Sequence, residues 1–208
     1  MVKSLNQRAG RHQTSPNLSL DFNSVLGYNY IMKNDITLYL DMDGVLCNFD
    51  KAYKSLRTHA EDGNRFRAAV MEFNIFEELE FMPDTMELMN YVSKLDGVTI
   101  EILTSVGTFD EVRGSAARRQ KNKWLESRNF PYRSNFVRTK SEKANYATPT
   151  SILIDDSIGC IEPFNASGGH GILHTKSSDT VQQLHDVIRG IRGLNMLKFG
   201  YDSMGSYA

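Results

Sequence analysis

The sequence predicts an α/β fold, a parallel sheet flanked by helices, with a small helical cap inserted after the first strand. Three observations predict it. Short apolar runs recur at Ile36-Thr37-Leu38-Tyr39-Leu40, Val98-Thr99-Ile100-Glu101-Ile102-Leu103 and Ser151-Ile152-Leu153-Ile154, and strands covered on both faces read as such near-continuous runs. Stretches of helical character lie between them, the alternation that gives a parallel sheet with right-handed crossovers. Each run also ends in carboxylates or hydroxyls, and open α/β sheets hold their ligands beyond the carboxyl ends of the strands.

Taken in order, residues 1–34 are polar, with scattered Ser, Asn, Gln and Arg and no period, and read as an arm or a disordered lead. The core is expected over 35–195. Its first strand, from Ile36, runs into Asp41-Met42-Asp43-Gly44-Val45-Leu46. The segment from Phe49 to Phe81 is too long for a simple crossover and is read as the cap, with a helix expected near Lys51 to His59. It mixes Arg57, His59, Arg65 and Arg67 with Phe66, Phe73, Ile75 and Phe76. Cationic donors beside flat apolar faces suit a phosphate and a base; the same residues also suit an amphipathic helical pair that buries its own aromatics. Phe49, Phe73 and Phe76 are the candidate substrate contacts.

Helices are next expected at Asp84 to Lys94 and at Phe109 to Arg128. The second of these carries Arg113, Arg118, Arg119, Lys121 and Lys123, read as a solvated basic face, and Trp124, read as packing on the sheet. A weaker strand, Asn135-Phe136-Val137-Arg138, precedes Lys140, Lys143 and a short helix from Glu142 to Ala147. The last strand, Gly171-Ile172-Leu173-His174, follows the turn-forming Ser167-Gly168-Gly169. A helix from Asp179 to Arg192 completes the core. The Gly- and Ser-punctuated tail over 196–208 is expected to fray. His170 and His174 are read as structural.

The strand tips assemble a chemical inventory. Asp41 and Asp43 stand at the first tip, and period-2 geometry would send both side chains to the same side. Thr104-Ser105 end the second run and Asp155-Asp156 the third, with Lys140 and Lys143 beyond the weaker strand. Carboxylates with nearby carbonyl oxygens suit a hard cation such as Mg²⁺. An EF-hand is excluded, because its glycine sits at loop position six after a helix, whereas Gly44 follows Asp43 directly after a strand. Carboxylate nucleophile, cation, hydroxyl and ammonium together suit phosphoryl transfer.

These motifs, Asp41-Met42-Asp43-Gly44-Val45, Thr104-Ser105, Lys143 and Asp155-Asp156, resemble in order those of the haloacid dehalogenase superfamily of aspartate-nucleophile phosphohydrolases, which have a Rossmann-like core. Asp41-Met42-Asp43-Gly44-Val45-Leu46 with Phe49, Phe76-Glu77-Glu78-Leu79-Glu80-Phe81-Met82-Pro83 and Ile152-Leu153-Ile154-Asp155-Asp156 look more narrowly like the 5′(3′)-deoxyribonucleotidase branch. The resemblance spans roughly Ile36 to His174. It implies Asp41 as nucleophile and metal ligand, and Asp43 as general acid and then base, lending its backbone carbonyl to the metal. Thr104 and Ser105 would hold the phosphoryl group, Lys143 or Lys140 would neutralise it, and Asp156, with Asp155 beside it, would complete the Mg²⁺ shell. The implied substrate is a (deoxy)nucleoside monophosphate. Another small phosphomonoester or a DNA 3′-phosphate end is the alternative enzyme reading, and a binding module without catalysis the alternative class.

Composition bounds the rest. A net charge of −1 over 208 residues excludes nucleic-acid binding by bulk electrostatics. No apolar run approaches the ~20 residues of a membrane span, and the N-terminus lacks a signal-peptide core, so a cytoplasmic protein is expected. Two cysteines, Cys47 and Cys160, exclude a disulfide framework or a Cys-rich zinc site and are expected to be a reduced, partly buried pair.

Overall fold

The computed structural model of the chain describes residues 36–57 and 62–204. The polar lead over 1–34 and His59 lie outside the described residues. Five parallel strands form one sheet in the order β3-β2-β1-β4-β5: β1 (Ile36–Leu40), β2 (Val98–Ser105), β3 (Arg133–Val137), β4 (Ser151–Asp155) and β5 (His170–Leu173). Leu38 pairs in register with Ile100 on one side and Ile152 on the other, so β1 is the centre of the sheet. This is the α/β architecture that the alternating pattern predicts.

Side-chain alternation along the strands builds two cores. Leu38 and Leu40 of β1, Ile102 of β2, and Ile152 and Ile154 of β4 face one side. There they meet α3 (Thr85–Val92), α4 (Glu111–Ser127) and α6 (Ser177–Met204) through Leu88, Val92, Trp124, Leu184 and Ile188. Leu103 and Leu153 face the other side, against Ile161 and Phe164 of α5 (Ile158–Ala166), with Tyr39 and Tyr146 packed beside them. A fully buried side chain of this kind contributes about 1.5–3 kcal/mol, which fixes the register of each strand. Trp124 packs as expected and donates its indole N–H to the Leu79 carbonyl at 2.7 Å.

Two helices depart from the sequence reading. The segment from 158 to 166 forms α5 although it holds Gly159 and Pro163, because Cys160, Ile161 and Phe164 bury one face of it and tertiary packing overrides weak propensity. The final helix does not stop near Arg192; α6 continues to Met204, through the stretch expected to fray.

The segment after β1 holds α1 (Phe49–Ser55) and α2 (Asp62–Met71). Asn48 caps α1 by accepting from the Lys51 amide at 3.0 Å. The segment leaves and returns at adjacent points. The Asn48 amide donates to the Glu80 carbonyl at 2.8 Å and the Met82 amide to the Leu46 carbonyl at 3.1 Å, around a bridge between Cys47 and Phe81.

Candidate active site

The site is built from β1 outward. β1 ends at Leu40, and the chain then turns, with the Leu46 and Cys47 amides both donating to the Met42 carbonyl. Gly44 makes the turn possible. Its φ is +80°, and a Cβ there would stand 2.1 Å from Asp156 Oδ2, so only glycine lets this backbone approach the acid. Strand pairing stops at Leu40, and the two carboxylates that follow go to different lysines.

Asp41 belongs to the first group. Its Oδ1 lies 2.8 Å from Lys143 Nζ but off the line of a hydrogen bond, and it has no other partner although buried. Lys143, in the 3-10 helix Ser141–Tyr146, is 1% exposed and also donates to Asp155 Oδ2 at 2.6 Å. Burial disfavours the Lys143 charge, but Asp41 and Asp155 outweigh it and hold the ammonium well above the ordinary lysine value. Lys140 instead donates to Ser157 Oγ at 3.1 Å, at the rim. Of the two lysines that the sequence left open, Lys143 is thus the one that meets the carboxylates.

Asp41, Asp155 and Asp156 each bring one carboxylate oxygen within 4.8 Å of the others. Asp155 is fully buried and its carboxyl is raised, first by burial and then by Asp41. Asp156 is more open, yet burial of part of its surface and the charges of Asp41 and Asp155 push it up to about 6. Three hard oxygen donors against one ammonium leave excess negative charge, a donor set that fits Mg²⁺. The Asp43 side chain is not among the three.

Asp43 belongs to the second group. Its Oδ2 accepts from Lys121 Nζ at 2.6 Å, and the same ammonium donates to Thr104 Oγ1 at 2.8 Å. Lys121 is 0% exposed, which corrects its reading as part of a solvated face. It lies on the buried stripe of α4 with Ala117, Trp124 and Leu125. Thr104 follows Ile102 by two residues in β2 and so faces α4, as strand alternation requires. The spacing from Ala117 to Lys121 to Trp124 was the one signal in the sequence that pointed to this lysine.

Both groups border one cavity of about 550 Å³. Asp41, Asp43, Ser105, Lys143 and Asp156 line it, whereas the fully buried Thr104 does not reach it. Phe49, Phe66 and Phe76 line it as well. Phe49 stacks on Phe76 at 5.2 Å and on Tyr53 at 5.3 Å, with Phe66 edge-on. The expected Phe73 is 48% exposed and stands outside the cavity, because α2 ends at Met71 and turns it to solvent. Both cysteines are free and buried. Cys47 lies against Asp43, and Cys160 lies beside Asp155, where burial pushes its thiol up to about 12. His174 lines the cavity edge and shares a hydrogen bond with Thr180 at 2.9 Å.

No helix among the described residues is long and apolar enough to cross a membrane. No family model matches the sequence, and no curated protein matches it. Among solved structures, the chain is similar to the D,D-heptose 1,7-bisphosphate phosphatase of Burkholderia thailandensis, with 15% identity, 71% of this chain and 84% of that one covered, and a TM-score of 0.40. It is similar to a haloacid dehalogenase-like family hydrolase of Streptococcus pneumoniae, at 12% identity, 72% and 91% coverage and a TM-score of 0.41. A hydrolase of Streptococcus pneumoniae TIGR4 gives 16% identity, 74% and 100% coverage and a TM-score of 0.44. At this level of similarity the neighbours' substrates say nothing about this chain.

Proposed function

We propose that the protein hydrolyses phosphate monoesters through an aspartyl-phosphate on Asp41, and that its substrate is a (deoxy)nucleoside 5′-monophosphate. The observation that carries the reading is the division of two neighbouring carboxylates between two buried lysines at one cavity. Asp41 Oδ1, buried and without a hydrogen bond, is the free nucleophile. Asp43, paired with Lys121, is the separate proton carrier.

In the first step Asp41 attacks phosphorus, the bond from phosphorus to the ester oxygen breaks, and that oxygen takes a proton from the Asp43 carboxyl group. In the second, water attacks phosphorus and gives a proton to the Asp43 carboxylate, and the bond to Asp41 breaks. Inorganic phosphate leaves, and both side chains return to their starting forms. Lys143 and Ser105 offer donors to the phosphoryl oxygens. Mg²⁺, held by Asp41, Asp155 and Asp156, would offset the phosphoryl charge.

The insertion from Phe49 to Phe81 acts as the cap. Its half-buried Phe49 and Phe66 offer apolar surface of the cavity to a base, with the buried Phe76 packed against both, which is the support for a nucleotide over a smaller ester. The test is phosphate release from a panel of nucleoside monophosphates, with p-nitrophenyl phosphate as a small ester, in Mg²⁺. Release from nucleotides is expected. Release from the small ester alone would remove the nucleotide, and no release from any ester would remove the reading.

A further inference from the structure

Lys121 is a fully buried cation that pairs with Asp43 but takes part in neither step of the chemistry above. Its ammonium contacts Asp43 Oδ2 and Thr104 Oγ1 and lies 4.6 Å above the Phe76 ring. It does not line the cavity, so whatever it does, it does through those neighbours. Packing does not ask for it either. A buried charge is costly even when paired, and an apolar side chain of similar volume would hold the stripe between Ala117 and Trp124 at least as well.

We infer that Lys121 is a positioning residue, which sets the oxygen that Asp43 presents and the direction in which Thr104 donates. The inference rests on the phosphomonoesterase reading. An ammonium has three donors and no acceptor, so both partners must accept from it. Asp43 gives up Oδ2, which leaves Oδ1 as the oxygen for proton exchange with the ester oxygen and with water. Among the described residues only the Cys47 thiol, a weak donor at 3.6 Å, competes there. Thr104 gives a lone pair, so its single O–H is turned away from the lysine.

Among the described residues no other cation does this work, because Lys143 is committed to Asp41 and Asp155. Without Lys121, the Asp43 carboxylate, 28% exposed, has no fixed partner on Oδ2 and can present either oxygen. Thr104 O–H is then free to turn back toward the vacated space. The arrangement also ties proton transfer to the cap, since Phe76 belongs to the insertion and Gln120, one residue before Lys121, donates to the Val70 carbonyl at 2.7 Å.

A defect that depends on the leaving group follows. Protonation of the departing oxygen matters for the alkoxide of a nucleoside and little for p-nitrophenolate, which leaves as a stabilised anion. The experiment compares kcat/KM for the best nucleotide and for p-nitrophenyl phosphate in wild type, Lys121→Met and Lys121→Arg, because kcat/KM reports the steps up to loss of the leaving group. Positioned general acids contribute about 10²–10⁴-fold. Lys121→Met is therefore expected to lose about 100-fold or more on the nucleotide and less than about tenfold on the aryl ester. Lys121→Arg, which keeps a donor-only cation, should recover part of the nucleotide rate.

A sample that is only partly folded lowers both rates by the same factor and leaves their ratio unchanged. If Lys121→Met yields no folded protein, the ratio in Lys121→Arg decides, with the same direction and a smaller size. Equal losses on both esters in an active background would overturn the inference alone. A wild type without turnover on either ester would overturn the phosphomonoesterase reading, and the inference with it.

Discussion

Asp41 combines burial, a lysine at 2.8 Å and an oxygen free of hydrogen bonds, which is the state that the proposed nucleophile needs. Asp41→Asn keeps the size and removes the proposed nucleophile. Turnover is expected to fall by several orders of magnitude with the thermal melt nearly unchanged; activity within about tenfold of wild type would contradict the covalent route. At this scale the acids were legible, because Asp41, Asp43, Asp155 and Asp156 stand at the ends of apolar runs and strand tips can be counted. Lys143 was legible only as one of two candidates, since a 3-10 turn gives no period strong enough to say which lysine faces inward. Lys121 was missed because a cation at the centre of a helix's buried stripe contradicts the usual rule for lysine. Its partners come from β1 and β2, far away in the sequence.

Among the elements, the insertion gives the sharpest expectation. Phe49 faces the cavity and Phe73 faces solvent. Stacking of a base on an aromatic ring is worth about 1–3 kcal/mol, so Phe49→Ala should lower kcat/KM for the best nucleotide by roughly five- to 150-fold at ~1.4 kcal/mol per decade. The loss on p-nitrophenyl phosphate should be smaller, and Phe73→Ala should lie within about twofold of wild type on both. Steady-state kinetics on the two esters decide this, and equal losses for Phe49→Ala on both would make it a packing residue. The five strands were readable from their apolar runs. The helix α5 was not, since Gly159 and Pro163 hide it, and neither was α2, which opens on the weak helix formers Asp62, Gly63 and Asn64.

For the molecule as a whole, the proposed function makes the acid cluster a link between stability and both protons and a cation. The Asp156 carboxyl is pushed up to about 6 from an ordinary 3.8. Between those values the folded chain binds a proton that the unfolded chain has lost, so without a cation this group's contribution to stability falls as pH rises through that window. A cation that binds only the folded form stabilises by mass action, about 2.7 kcal/mol at one hundred times Kd, and it competes with that proton. Mg²⁺ should therefore raise Tm over a chelated sample, and by more at pH 7 than at pH 5. Thermal melts at both values check it, and an equal rise at the two would contradict the assigned cluster.

The central place of β1 has a consequence in time. A ribosome makes β1 first, yet one neighbour, β2, follows only after the whole insertion, and the other, β4, is made later still. Such non-local pairing is slow and leaves strand edges open meanwhile. A nascent chain that has reached only Thr150 carries Asp41 but neither Asp155 nor Asp156, and so should hold no Mg²⁺ however much of its helix has formed. Asp41, the first of the three acids to be synthesised, thus waits for β4 before it meets the other two.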